Sequence, residues 1–259
     1  MSSDLFSLLI LGGTTEGYAL AERLQPANDD APAMRVVSSL AGRTAQPRLP
    51  AGDYRIGGFG GPQGMAEYLR ANRIGAVIDA THPFAQQMGW NTAQACQAVG
   101  VPLLRLERPA WVPGIGDRWD MIDDWQEGGD LVGKRSSRVL MAVGRQELEA
   151  FAVLDHVWFL IRSVDLPDPM PAFAQYENLL ARGPFSLEQE LELLQARSID
   201  TIVCKNSGGR ATDSKLAAAR ELGIRVVMKK RPPRPFLPVA STVAEATAWV
   251  GQFVGRAEP

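Results

Sequence analysis

Apolar residues in this chain come in short continuous runs separated by stretches of helical period. In the first part, Ser7-Leu8-Leu9-Ile10-Leu11, Arg35–Ser39, Ala76–Ala80 and Pro102–Leu106 read as strands, with Tyr54-Arg55-Ile56 as a shorter one. Between them, Ala19, Leu20 and Leu24 mark a first helix, Met65–Asn72 a second, and a third runs from Pro83 to about Val99, with Pro83 at its first position and Thr81 or His82 as cap. The second part repeats the rhythm. Arg138–Val143, His156–Ile161, Asp200–Cys204 and Ile224–Met228 are strands, while Ser186–Arg197, Asp213–Leu222 and Ala244–Val254 are helices. Strands alternating with helices predict an α/β fold with parallel sheets. Glu107–Gly114 is rich in proline and glycine and marks a boundary between domains 1–112 and 113–259.

Composition narrows the class without changing this outline. Of 259 residues, 46% are apolar and 22% charged, as in ordinary globular proteins, and no apolar run reaches the roughly 20 residues that span a bilayer. The N-terminus has no signal-peptide pattern, and the two cysteines, Cys96 and Cys204, read as buried free thiols, so a cytoplasmic protein is expected. His82 and His156 are the only histidines, and no metal-ligand spacing occurs, so no metal is expected. A net charge of −2 argues against nucleic acid as a partner. The charge is uneven, however: ten Lys or Arg fall between Arg197 and Arg234, and a basic region of this kind suits an anionic small molecule as well as solvated helix faces.

The chemistry is concentrated where strands end. After the first strand, Gly12 and Gly17 occupy the first and third positions of a G-x-G-x-x-G dinucleotide fingerprint, and Thr14 stands in the second. A strand-turn-helix of this form presents backbone N–H groups and a helix dipole to a phosphate, with the Thr14 hydroxyl as a further donor. The same residues also spell an ordinary turn capped by Thr14 or Thr15 with Glu16 in the first turn. At the end of the second strand, Ser38, Ser39 and nearby Arg43 replace the acidic residue of an NAD site and suit a 2′-phosphate, whereas Arg43 taken in isolation reads better as a surface arginine after a turn. Gly57-Gly58-Phe59-Gly60-Gly61 forms either a wall against a cofactor or a flexible loop. His82 sits at the carboxyl end of a strand, where a histidine orients a nicotinamide, passes a proton, or only bonds the backbone. Lys205-Asn206-Ser207-Gly208-Gly209 repeats the design of the opening turn with a lysine added, fitting a carboxylate or phosphate, or else forms a glycine turn with a solvent-facing lysine.

These segments, together with Ala41-Gly42-Arg43, Asp79–Ala85, Arg108-Pro109-Ala110-Trp111 and Arg182-Gly183-Pro184-Phe185, occur in one order from about residue 7 to Arg234, and the whole resembles the precorrin-6A reductase family of cobalamin (vitamin B12) biosynthesis. The resemblance implies two Rossmann-like domains with the ligand cleft between them, the first binding NADPH and the second the substrate. It implies hydride transfer to C19 of precorrin-6A, giving precorrin-6B. Carried over, Gly12, Thr14, Thr15 and Glu16 hold the pyrophosphate and ribose. Ser38, Ser39 and Arg43 meet the 2′-phosphate, and Gly60, Gly61, Thr81 and His82 lie toward the nicotinamide. Precorrins are fringed with carboxylates, which suits Arg145, Arg162, Arg182, Lys205 and the segment Asn206, Ser207, Gly208 and Gly209. His82 and Lys205 are the candidate proton donors, beside solvent. Two other readings stand: a cobalt-precorrin-6A reductase using NADH or NADPH, and a non-catalytic dinucleotide-sensing module. Oligomeric state is left open, a monomer being one option, as is product hand-off to a following enzyme.

Overall fold

The computed structural model describes residues 5–25, 34–42, 48–209 and 213–254. The chain divides into two compact units, Met1–Pro109 with Pro232–Pro259, and Ala110–Arg231.

In the first unit, β1 (Ser7–Leu11), β2 (Arg35–Leu40), β3 (Asp53–Ile56), β4 (Ile74–Asp79) and β5 (Leu103–Leu106) form a sheet with β12 (Val239–Ala240) in the order β12-β5-β4-β1-β2-β3. Every pairing is parallel. Side chains of β1 alternate between two fully covered faces. Leu8 and Ile10 pack with α1 (Thr15–Arg23) and α8 (Val243–Val250), and Leu9 and Leu11 with α2 (Gly61–Ala71) and α3 (Gln86–Val99). Strand order reverses between β1 and β4, the switch point at which open α/β sheets place ligands. Register sets Leu11 opposite both Ser39 and Asp79, so the turns after β1, β2 and β4 share one edge.

The second unit repeats the plan. Its sheet runs β6-β11-β10-β7-β8-β9, from β6 (Trp119–Ile122), β7 (Arg138–Ala142), β8 (Trp158–Ser163), β9 (Tyr176–Leu180), β10 (Thr201–Lys205) and β11 (Arg225–Lys229), again all parallel. Helices α4 (Trp125–Arg135) and α5 (Glu149–Ala152) cover one face, α6 (Leu187–Ala196) and α7 (Ser214–Leu222) the other.

The connectivity contains an exchange. β6 follows β5 in the chain but edges the second sheet, and β12 follows β11 but edges the first. The expected division at 112/113 therefore differs from the observed one mainly at the C-terminal end, where Pro232 onward returns to the first unit. The third helix also starts later than expected. Pro83 lies in a turn closed by an Ala85 N–H to His82 O bond of 2.7 Å, and α3 begins at Gln86.

Candidate active site

At the end of β1 the Gly12 N–H donates to Ser39 O at 2.9 Å, and Gly13 takes a positive φ of 104° with open space on its Cβ side. Thr14 is extended and caps α1: its hydroxyl accepts from Gly17 N–H at 3.1 Å and donates to Ala80 O at 2.7 Å. A hydroxyl has one proton to give. The expected Thr14 hydroxyl-to-phosphate contact is therefore corrected: that proton is committed to the end of β4. A Cβ on Gly17 would lie 3.3 Å from Gly12 Cα and 3.4 Å from Ala80 Cβ, so this glycine lets helix and strand approach closely. Thr15 is exposed at the first helical position, and the Glu16 carboxylate accepts from Arg108 Nη1 at 2.6 Å.

The ends of β2 and β3 are tied by a residue that the sequence reading left unused. Arg55 Nη1 donates to Ser39 Oγ (2.8 Å) and Gly57 O (2.9 Å), and Nη2 donates to Gly58 O (2.9 Å). The guanidinium lies 3.9 Å from the centre of the Phe59 ring. Ser38 Oγ is enclosed and finds no hydrogen-bond partner among the described residues. Arg43 lies outside the described residues. Gly60 and Gly61 (φ 76° and 91°) open α2 with no atom within 4 Å of where a Cβ would stand, leaving the helix N-terminus accessible. Gly64 anchors this turn, because a Cβ there would stand 2.0 Å from Phe59 O.

The turn after β4 is built on a buried charge. Asp79 is fully buried, and its Oδ1 accepts from Thr81 N (3.1 Å) and Thr81 Oγ1 (2.5 Å). Its Oδ2 is ion-paired with Arg234 Nη2. Arg234 Nη1 also donates to His82 O (3.2 Å) and Pro83 O (3.3 Å) and lies 3.7 Å from Glu107 Oε2. His82 Nδ1 accepts from Phe84 N–H at 3.2 Å, which assigns the remaining proton of a neutral ring to Nε2. Thr81 and His82 are half-buried.

In the second unit the predicted cations stand at the carboxyl ends of their strands with different degrees of engagement. Arg145 opens a short 3-10 turn (Arg145–Glu147) after β7 and donates to Asp168 O at 3.2 Å; Arg182 is exposed beyond β9. Lys205 Nζ donates to Glu147 Oε1 at 2.5 Å, joining the turns after β7 and β10. Arg162 departs from expectation. Both oxygens of Glu190 accept from its Nη1 (2.9 and 3.0 Å), its side chain is 8% exposed, and Phe185 lies 4.4 Å away, so burial and pairing commit it to the core. Asn206 is likewise corrected: its backbone N–H donates to Lys229 O (2.9 Å), its Oδ1 accepts from Trp111 N–H (2.8 Å) and its Nδ2 donates to Trp111 O (3.0 Å). Trp111 Nε1 donates to Gly209 O at 3.0 Å. Arg231 donates to Asn206 O (3.0 Å) and Ser207 O (3.2 Å), and Gly208 and Gly209 take positive φ of 67° and 82°.

Burial sets the titrations near these turns. It pushes the Cys96 thiol up to about 12, with the Asp79 anion adding to the shift. It pushes Cys204 up to about 11 against the pull of Lys215 and Arg162. Burial also lowers Lys215, whose ammonium lies 4.7 Å from the Trp111 ring.

Comparison with known proteins decides the lineage. A family model described as "Precorrin-6x reductase CbiJ/CobK" matches residues 7–251. The chain belongs to this family. Within it, a precorrin-6A reductase of Rhodococcus erythropolis is 49% identical over 253 residues, covering 96% of this chain and 99% of the relative. One of Sinorhizobium sp. is 44% identical over 250 residues, covering 96% and 94%. A solved structure described as "CobK precorrin-6A reductase" aligns with a TM-score of 0.88 at 37% identity, covering 96% of this chain and 97% of that one.

For this CbiJ/CobK member, Gly12, Thr14, Ser39 and Thr81 gather at one edge of the first sheet, and Arg145, Arg162 and Lys205 at the corresponding edge of the second. Sequence reasoning gave no role to Arg55 or Glu147, and used Arg108, Arg231 and Arg234 only as motif or cluster members. Arg55 carried a local signal, two residues before a glycine run. Arg234 carried none, since its partner Asp79 is 155 positions away.

Proposed function

We propose that this chain reduces precorrin-6A to precorrin-6B with NADPH, as a step of cobalamin biosynthesis. The observation that carries the reading is the carboxyl edge of the first sheet in a member of this family: open positive-φ glycines and helix N-termini beside the β1/β4 switch point. Those cradles fit a dinucleotide. Backbone amides of Gly13, Thr15 and Glu16 take the pyrophosphate, the Gly12 N–H bond to Ser39 O and the Thr14 hydroxyl holding their shape. Amides at Gly60 and Gly61 line the cofactor, and Thr81 and His82 meet its nicotinamide end. Ser39 and Arg43 take the 2′-phosphate, Arg55 holding the Ser39 hydroxyl, while the enclosed Ser38 hydroxyl is corrected to a place behind them.

When bound, NADPH would supply the hydride that C19 gains, and His82, Lys205 or solvent would give the one proton that completes the product. Arg145, Arg182 and Lys205 pair with ring carboxylates together with the Gly208 and Gly209 amides, the Ser207 N–H being bonded to Lys205 O. Arg162 and Asn206 act one step back, keeping those groups in place. Much of the rate then comes from positioning, with donor and acceptor carbons about 3–3.5 Å apart. The named Rhodococcus and Sinorhizobium relatives carry no cobalt prefix, which favours the metal-free ring.

The test is NADPH oxidation with and without precorrin-6A. Oxidation that requires the macrocycle supports the reading, and NADP binding without turnover supports a dinucleotide sensor instead. Arg43→Ala should shift the preference from NADPH toward NADH; an unchanged ratio removes Arg43 from the 2′-phosphate site.

A further inference from the structure

We infer that Arg234 is a positioning residue for the turn after β4, so that the segment re-entering the first unit sets the geometry of Thr81 and His82. The inference rests on the functional reading above only in taking His82 to face the nicotinamide.

Arg234 is 6% exposed and touches this turn at three acceptors: Asp79 Oδ2, His82 O and Pro83 O. Through the other oxygen of Asp79 it also fixes Thr81, whose N–H and hydroxyl both donate to that carboxylate. The guanidinium needs a flat seat on α3, and Gly89 provides it. A Cβ at Gly89 would stand 2.7 Å from Arg234 Nε and 3.0 Å from Cζ, inside van der Waals contact. Arg105, whose Nη2 donates to Pro235 O at 2.8 Å, pins the same segment from the strand side. A planar fork satisfies two carbonyls and a carboxylate at once, whereas an ammonium offers a single point of charge. The turn carries its His82 ring by a local bond to Phe84 N–H, so displacing carbonyls 82 and 83 displaces the imidazole.

Two variants separate positioning from bulk stability. Arg234→Lys keeps the charge and loses the fork. Gly89→Ala leaves every charge in place, raises helix propensity, and crowds the guanidinium from its seat. Both should lower kcat at least tenfold per folded molecule, with the NADPH Kd changed less than threefold because the pyrophosphate end is held by other turns. In ligand-free protein, imidazole nitrogen resonances, assigned with a His156→Gln background, should show His82 losing its single-tautomer signature in both variants. Unchanged His82 resonances with kcat within twofold of the parent would overturn the inference, as would a loss of activity matching the loss of folded protein. If the parent protein fails to oxidise NADPH with precorrin-6A, the functional reading falls, while the resonance comparison still decides the role of Arg234.

Discussion

The turns after β4 and β10 occupy equivalent places in the two sheets, and both are gripped by an arginine from residues 231–234, yet they are secured by different chemistry. After β4 the grip is ionic, from fully buried Asp79 to Arg234. After β10 the hold on backbone is made by the neutral Asn206 amide on Trp111, with Arg231 adding bonds to carbonyls and the Lys205–Glu147 pair reaching the β7 turn. A neutral amide pair buried in protein forfeits little solvation. A buried ion pair forfeits much and is held only by its complete set of partners. The difference teaches that the first turn tolerates no partial loss, whereas the second loosens by degrees.

The largest expected effect follows from breaking the ionic grip. Asp79→Asn leaves Arg234 buried without its counter-charge and should cost about 3–5 kcal/mol, read as a lower denaturant midpoint for the first unit. A second buried pair, Arg162 with Glu190, offers an internal control. Arg162→Met alone should cost a similar amount, while Arg162→Met with Glu190→Leu should recover most of it, because removing both charges also removes their desolvation. If the double variant binds precorrin-6A with unchanged KM, Arg162 is confirmed as a core residue.

Smaller losses are expected at the neutral grip. Asn206→Ala strands the Trp111 N–H and carbonyl and should cost about 2 kcal/mol by denaturation of the second unit. A cost equal to that of Asp79→Asn would erase the distinction between the turns.

Much of this architecture was legible because strand cores are written as unbroken apolar runs: β4 and β10 needed no tertiary information. The start of α6 was read to within a residue, and the structure adds its cap, Ser186 and Gln189 bonding reciprocally. The exchanged edge strands were not legible. β12 is two residues long and Asp120 interrupts the four residues of β6, so neither has a run to announce it. Thr14 illustrates a further limit. The residue type allowed either cap or ligand donor, and the choice was made by Ala80, 66 positions away. Within the site, glycines and strand ends were readable from local spacing, but the commitments of Arg162, Asn206 and Arg234 depend on partners that spacing does not reveal.

The finest probe is the pair of buried thiols, one near each turn. Both have folded pKa values above the unfolded thiol value of 9.0, about 12 for Cys96 and about 11 for Cys204. The stability each contributes is fully present below pH 9 and is lost as pH rises toward its folded value, at up to about 1.4 kcal/mol per pH unit per thiol. Cys96→Ala should therefore flatten the alkaline decline in the unfolding midpoint up to pH 12, and Cys204→Ala only up to pH 11. Asp79→Asn should lower the Cys96 value by removing a neighbouring anion, and Lys215→Met should raise that of Cys204 by removing a cation. No change in either would mean that burial alone sets the thiols.

The exchange of β6 and β12 has a consequence for how the molecule comes into being. A ribosome releases the first 109 residues with one margin of their sheet still awaiting Val239 and Ala240, and with Asp79 still awaiting Arg234. The second unit, closed by Arg231, is complete earlier. The unit that comes first along these residues is thus the last to be finished, and no nascent fragment ending before residue 234 carries the ionic latch of the β4 turn.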